Sequence, residues 1–394
     1  MSMKRFLLFF CASIGAAVSL SAQEPILKAK VKGNEAIVCE IRNLEPQGSY
    51  MPSFKMDRSD LPVQNVILMI GDGMGLGAVA SAMYANGGEL TMTNLQTIGM
   101  VRTQSADSFT TDSAASGTAY ATGYKTHNGG IGVDAENNVI QNIPEILSEK
   151  GIISGVISTD DLHGATPAAF YAHQKSRKMT DEIWNDVADS KLTFFAAASM
   201  EFFEKQPEDT RNAINGNFTI VNSLDDSKAL KKSKRLGYLP PKSETNFIVE
   251  GRGDFLPETT SFALDYLSRR SKNGFFLMVE GARIDKAAHK NKYESSIKET
   301  LDFDKAVEVA VRFAEKHGNT LVIISADHET GALSLKSGEP EKGNIKGIYS
   351  STGHTPMMVP LFAYGPQSLK FAGIQENSDV AKKIIEVLAD KTSR

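Results

Sequence analysis

Carboxylates and imidazoles recur in this chain at places where they can hold ions. Asp285 and His289 stand four residues apart, the spacing that puts two side chains on one helix face where they can grip a single ion. Asp327 and His328 follow directly on the apolar run 320–325, and His354 lies in Thr352-Gly353-His354-Thr355. Glu280 ends a second apolar run, and Asp72 follows a third inside Gly71-Asp72-Gly73-Met74-Gly75. A carboxylate placed just past a buried strand is desolvated unless a cation meets it. One such group fits a solvated surface; several, all at strand ends or adjacent loops, do not. Mixed Asp and His donors suit zinc, and an all-oxygen set suits magnesium.

A nucleophile is also present. The segment Thr111-Asp112-Ser113-Ala114-Ala115-Ser116-Gly117-Thr118-Ala119 is built of small residues and predicts a helix that runs to Thr122 and closes at Gly123. Ser113 stands at its start, where free backbone N–H groups favour an anion. By itself such a serine reads as a helix cap; as a nucleophile it needs a base or a metal to lower its pKa. No Gly-x-Ser-x-Gly elbow occurs, so metal activation is the more natural route. Gly73-x-Gly75-x-x-Ala78 also matches the loose dinucleotide fingerprint. Asp72 would then face an anionic pyrophosphate, and no second strand ends in an acidic residue at the required distance.

These residues need a scaffold that gathers strand ends. Short apolar runs at 65–70, 152–158, 275–279 and 320–325 read as buried strands, each followed within a few positions by polar residues. Helical patterns lie between them, the clearest over 296–316 with a stop at Gly318. Strands alternating with helices predict an α/β fold with a central, mainly parallel sheet flanked by helices. In such sheets ligands bind beyond the carboxyl ends of the strands. The rhythm changes over 178–257, where the polar stretch 206–246 reads as a surface insertion. Ahead of the first strand, 26–31 and 35–41 alternate about Gly33-Asn34 and predict a hairpin within an extension over 23–60.

Composition narrows the class. The chain of 394 residues is 41% hydrophobic and 23% charged, as in soluble globular proteins, and a net charge of −4 lacks the basic bias of a nucleic-acid binder. Lys228, Lys231, Lys232, Lys234 and Arg235 read as a solvated face. Lys4 and Arg5, the apolar run 6–20 and Leu20-Ser21-Ala22 predict a cleaved export leader over 1–22, with an uncleaved anchor as the alternative. Cleavage leaves Cys39 as the only cysteine, so the mature chain has no internal disulfide. No later stretch is long and apolar enough to span a membrane.

The segments 66–75, 111–134, 165–177, 279–289, 319–328 and 353–355 together resemble the alkaline phosphatase family, in order and in internal spacing, across 65–366. The resemblance implies a three-layer α/β catalytic domain over 61–394 and hydrolysis of phosphate monoesters through a phosphoserine at Ser113. It implies two zinc ions and one magnesium ion. Asp285, His289 and His354 match the ligands of the first zinc; Asp72, Asp327, His328 and the Ser113 oxygen match those of the second. Asp72, Thr166 and Glu280 match those of the magnesium. Arg177 matches the arginine that clamps two phosphate oxygens, and Lys286, beside Asp285, joins Ser113 and Arg177 on the substrate side. Four carboxylates and a serine alkoxide leave three divalent ions net cationic, as a dianionic substrate requires. The resemblance also implies a homodimer, small-molecule monoesters whose alcohol stays in solvent, and a periplasmic destination.

The chain departs from the family in places. Family members often carry Asp or His two residues before the threonine; here Gly164 stands there, with His163 beside it. Thr166-Pro167 reads as a helix N-cap followed by proline in the first turn. Arg177, eleven residues on, would lie about 16 Å along an ideal helix, so the helix must end early for both to share a site. His173 is expected mid-helix, and His127 and His317 exposed. A phosphodiesterase or sulfatase of the same superfamily is the nearest alternative. Thr166 and Glu280, and the unmodified Thr111-to-Ala115 motif, argue against it. A non-catalytic metal-binding protein would have lost a ligand or the nucleophile, and neither is missing. Arg252-Gly253-Asp254 spells an adhesion tripeptide and is assigned no role.

Overall fold

A computed structural model describes residues 36–198, 200–225, 230 and 233–389. The leader, the 26–31 half of the expected hairpin, and Lys228, Lys231 and Lys232 lie outside the described residues. In chain order the strands are β1 (Ile37–Ile41), β2 (Asn65–Gly71), β3 (Thr97–Arg102), β4 (Ile153–Asp161), β5 (Leu192–Ala198), β6 (Thr219–Val221), β7 (Leu236–Tyr238) and β8 (Phe275–Gly281). There follow β9 (Thr320–Ser325), β10 (Glu329–Thr330), β11 (Ser334–Glu339), β12 (Asn344–Tyr349), β13 (His354–Thr355), β14 (Val359–Tyr364) and β15 (Gly373–Glu376). The helices are α1 (Leu76–Ala85), α2 (Ser113–Thr122), α3 (Ile143–Ser148), α4 (Ala165–Ala168), α5 (Thr180–Asp189) and α6 (Met200–Glu204). After them come α7 (Glu208–Asn217), α8 (Phe255–Arg270), α9 (Arg283–Ala288), α10 (Tyr293–His317) and α11 (Asn377–Ala389).

Ten strands form one sheet in the order β15-β3-β14-β9-β2-β8-β4-β5-β7-β6. Only β14 runs against its neighbours, so the sheet is mainly parallel, as the alternation of strands and helices predicts. The central strands β2, β8 and β9 are buried along their whole length, which their continuous aliphatic sequence allows. One group of helices, α2, α3, α4 and α11, and another, α1, α8 and α10, flank the sheet. Helix ends obey local chemistry. Asp112 caps α2 and Gly123 closes it in the left-handed region at φ 81°. Gly318 closes α10 in the same way at φ 71°.

Elsewhere the structure adds to the sequence reading and in places departs from it. The strand Ile37–Ile41 pairs antiparallel with Asn344–Tyr349 in a three-stranded sheet, β1-β12-β11. Within the stretch expected as a surface insertion, β6 and β7 extend the edge of the main sheet, and Leu236–Tyr238 is fully buried. Arg235 is not a free surface charge: it donates to the carbonyls of Leu192 and Ser190 at 2.7 Å each and lies over the Phe218 ring. Helix α10 begins at Tyr293, three residues before its expected start, because Tyr293, Ser295 and Ser296 are already buried there. Among the described residues no helix is long and apolar enough to cross a membrane.

Candidate metal centre and active site

Strand register brings the carboxylates to one level. Ile70 pairs with Glu280 on β8 and with Ser325 on β9, while Ser158 on β4 pairs with Glu280 from the other side. Just beyond these ends stand Asp72, Asp327 and His328, in the crevice a parallel sheet offers to ligands. Gly73 permits the crowding. Its φ is +68°, and a Cβ there would lie 2.9 Å from Asp285 Oδ1. The Gly73 and His328 N–H groups both donate to Asp327 Oδ1, at 3.0 and 2.9 Å.

Ser113 opens α2, and its Oγ lies 3.2 Å from His328 Nε2. That nitrogen is 3.4 Å from Asp72 Oδ1 and 3.3 Å from Asp327 Oδ2. The neighbouring cap fixes where the helix starts, since Asp112 Oδ1 accepts the Ala115 N–H at 3.0 Å. The Ser116 hydroxyl donates to the Asp327 carbonyl at 2.7 Å and ties α2 to the loop after β9.

Asp285, His289 and His354 gather beside this group. His289 Nε2 is 3.2 Å from Asp285 Oδ2 and 3.1 Å from His354 Nε2, which lies 3.6 Å from Asp285 Oδ1. The Nδ1 atoms face backbone carbonyls, Thr352 at 2.6 Å for His289 and Thr111 at 2.9 Å for His354. A carbonyl accepts only N–H, so Nδ1 carries the proton and each Nε2 turns its lone pair inward, as in metal-bound imidazoles. Thr330 joins the clusters, its hydroxyl donating to Asp285 Oδ1 at 2.6 Å and facing His328 Nδ1 at 3.2 Å.

At the third corner Glu280 accepts from the Ser158 hydroxyl, and Thr166 on α4 is buried. Thr166 Oγ1, Asp72 Oδ1 and Asp327 Oδ2 are buried without hydrogen-bond partners. The electrostatics carry the same message. Burial pushes the Glu280 carboxyl up to about 8, with Asp160 and Asp327 adding to the rise. Burial, then the charges of Asp327, Asp285 and Glu280, hold the Asp72 carboxyl well above its ordinary range. For Asp285 burial pulls upward too, but the His289 hydrogen bond and the nearby His328 outweigh it and hold it below the usual carboxylate range. Burial and His328 lower His354. Crowded buried carboxylates of this kind are relieved by cations. The ligand atoms of Asp285, His289 and His354 lie within 4.8 Å of one another, as do those of Asp72, Asp285 and His328. Unpartnered oxygens, inward Nε2 lone pairs and the donor types all fit divalent metal ions.

Arg177 reaches the site because α4 stops at Ala168 after four residues. The chain then folds back along 129–131: the Gln174 N–H donates to the Ile131 carbonyl at 2.8 Å and the Arg177 N–H to the Gly129 carbonyl at 2.7 Å. The Arg177 guanidinium donates to Asp112 Oδ2 at 3.3 Å. Thr166 is not the helix cap. Gly164 takes the cap position, and Thr166 is the second residue inside α4, its hydroxyl left for another partner. His173 lies past the helix rather than within it, bonded to the Gly132 carbonyl at 2.8 Å and to Glu145 at 3.0 Å. His163 turns to Trp184, whose indole N–H donates to its Nδ1 at 3.2 Å. His317 is exposed, and His127 is half-buried with Nε2 at 2.9 Å from Asn137. The Lys286 ammonium is bonded to Asp160.

Sequence reasoning passed over Asp112, Ser158, Asp160 and Thr330. Asp112 was visible as the residue before a helix that starts at Ser113, and Ser158 and Asp160 as polar residues closing an apolar strand. Thr330 carried no such signal.

A family model described as alkaline phosphatase matches residues 63–199 and 243–347. Alkaline phosphatase 4 of Bacillus subtilis is 31% identical over 418 aligned residues, covering 85% of this chain and 90% of that protein. The alkaline phosphatase of Escherichia coli is 30% identical, with 84% and 88% covered. Among solved structures, the alkaline phosphatase of the Antarctic bacterium TAB5 matches with a TM-score of 0.78 at 36% identity, over 83% of this chain and 98% of that one. A variant of that enzyme holds Mg in its M3 site.

Proposed function

The chain belongs to the alkaline phosphatase family, hydrolases of phosphate monoesters, and we propose that its reaction runs through a phosphoserine on Ser113 at a site for two zinc ions and one magnesium ion. The observation that carries this reading is the 3.2 Å approach of Ser113 Oγ to His328 Nε2, at a helix start and beside buried carboxylate oxygens that lack partners. Asp285, His289 and His354 hold the first zinc; Asp72, Asp327 and His328, with Ser113 Oγ, hold the second. Asp72, Thr166 and Glu280, all oxygen donors, hold the magnesium, and the Mg in the TAB5 variant supports such a site here. Bound there, the ions supply positive charge that lowers the serine pKa and takes up charge on the departing oxygen.

The chain's own residues do the rest. Ser113 Oγ, its proton given up to solvent, attacks phosphorus in line, and the ester P–O bond breaks as the leaving oxygen takes a proton from solvent and departs as the alcohol. Water then displaces Ser113 Oγ, releasing phosphate; two inversions give net retention. The Arg177 fork, oriented by Asp112, binds two phosphoryl oxygens, and N–H groups of the first turn of α2 face the phosphoryl group. Lys286, paired with Asp160, adds positive charge on the substrate side. A leader over 1–22, read from its own residues, with export to the periplasm, and a homodimer on family grounds complete the proposal.

The test compares wild type with Ser113→Ala on p-nitrophenyl phosphate and on a matched diester, after zinc and magnesium loading. A monoester rate cut by orders of magnitude in the variant, with labelled phosphate recovered on Ser113 after acid quench, is expected. A folded, metal-loaded wild type with no label on Ser113 rules the phosphoserine out.

A further inference from the structure

We infer that Asp160 is a further carboxylate of the third metal site, acting on the ion through bound water and held in place by Lys286; this rests on the three-ion reading above. Three anchors converge on it. Asp160 lies two residues beyond Ser158 at the end of β4, where the pairing with β5 is irregular between Ile157 and Asp161. Ser158 is the residue whose hydroxyl holds Glu280, and the Asp160 N–H donates to that hydroxyl oxygen at 2.9 Å. Gly164 is the second anchor, two residues before Thr166 and the cap of its helix. A Cβ at 164 would lie 3.2 Å from Asp160 Oδ2 and 2.9 Å from the Asp161 carbonyl oxygen, so glycine leaves the Asp160 carboxylate its space beside the turn that carries Thr166. The third anchor is Lys286, next to Asp285, whose ammonium takes Asp160 Oδ1.

One carboxylate oxygen is thus committed to Lys286 while the other faces the Gly164–Thr166 turn, where the Thr166 hydroxyl is buried and unpartnered. The Asp160 side chain is 22% exposed, which leaves room for water between it and an ion. A carboxylate one water removed suits magnesium, which keeps several waters and binds oxygen donors, better than zinc. Outer carboxylates of this kind change metal affinity by about 10–100-fold.

The experiment strips the whole protein with chelator, reloads two equivalents of zinc, and titrates Mg2+ by equilibrium dialysis, with unfolding temperature as a second readout. Asp160→Asn keeps the side-chain size and is expected to weaken Mg2+ binding about tenfold with both zinc ions retained. Gly164→Ala keeps every carboxylate but crowds Asp160, and is expected to weaken Mg2+ in the same direction. Unchanged Mg2+ affinity in a folded Asp160→Asn protein overturns the inference and leaves the three-ion reading standing. A wild type that takes up no ion beyond the two zinc overturns both. Should Asp160→Asn not fold, Gly164→Ala decides alone: unchanged affinity there overturns the inference.

Discussion

The Ser113 hydroxyl stands 3.2 Å from His328 Nε2, joining the first residue of α2 to the loop beyond β9 across 215 residues of sequence. The contact is held from below. Ser116 bonds the Asp327 carbonyl at 2.7 Å, and the Tyr120 hydroxyl bonds the Ala326 carbonyl at 3.0 Å. Positions 113, 116 and 120 share one helix face, so α2 lies against the end of β9 along two turns. The Ser113 hydroxyl is therefore aimed by a packed helix rather than by a loop.

Asp112 serves two partners, capping α2 with Oδ1 and holding Arg177 with Oδ2. Asp112→Asn keeps a capping oxygen and loses the charge; Asp112→Ala loses both. Thermal melts should place the alanine variant about 1 kcal/mol below wild type and the asparagine variant within about a few tenths of it. Both should raise the inhibition constant of inorganic phosphate several-fold, because Arg177 is no longer pre-oriented. Equal stability in the two variants would count against the cap.

Arg177→Lys retains the charge and loses the planar fork. A site that uses both guanidinium nitrogens should lose about tenfold or more in kcat/KM, the worth of one charge-assisted hydrogen bond. Lysine performing as well as arginine would mean that charge alone suffices.

Metal removal should make stability depend on pH. The Glu280 carboxyl, ordinarily at 4.5, is pushed up to about 8 in the folded chain by burial. A folded-state value above the unfolded one means that the fold binds the proton more tightly. Stability then falls as pH rises through the window between them, and the loss is complete above about 8. Asp72 acts in the same direction. Chelated protein should melt at lower temperature at pH 9 than at pH 6, and reloading zinc and magnesium together should remove most of that difference. Melting that ignores pH across this window would contradict the prediction.

Arg252 is buried between Glu299 and Asp302, with Nη2 at 2.6 Å from one and 2.7 Å from the other. One cation faces two carboxylates. Burial, with Glu299 alongside and against the pull of Arg252, pushes the Asp302 carboxyl from 3.8 up to about 6. By the same sign, ionising Asp302 costs stability as pH climbs through that window, and the cost persists above it. Asp302→Asn keeps an acceptor for Arg252 and removes the surplus charge. It should gain about 1 kcal/mol at pH 8 relative to its effect at pH 5, read from paired melts. A loss of the same size at both pH values would show that the carboxylate charge is needed.

The legible parts of the site were the locally encoded ones. Asp72, Asp327 and His328 stood out because polar residues interrupt continuous apolar runs at strand ends. Asp285 and His289 stood out because four residues make one helical turn. The end of α2 followed from Gly123, whose capping acts within a single turn, and its start from the small-residue run that opens at Ser113. Where local signals compete, the reading differed. A threonine before a proline reads as a cap, yet the extended backbone at Gly164 takes that role and places Thr166 inside α4. The polarity of 206–246 reads as surface, yet two short strands within it extend the sheet, and one of them, Leu236–Tyr238, is buried.

The sequence by itself determined the fold class, the kinds of donor available and the helix that presents Ser113, since periodicity and capping depend on neighbours within a turn or two. Tertiary structure decided which donors meet. Strand order set Glu280 beside Asp72, the early stop of α4 returned Arg177 to Asp112, and Lys286 met Asp160 from another element. Such pairings join positions tens to hundreds of residues apart. They follow from sheet register and core packing, which are settled by the whole set of buried contacts and leave no local trace in the chain.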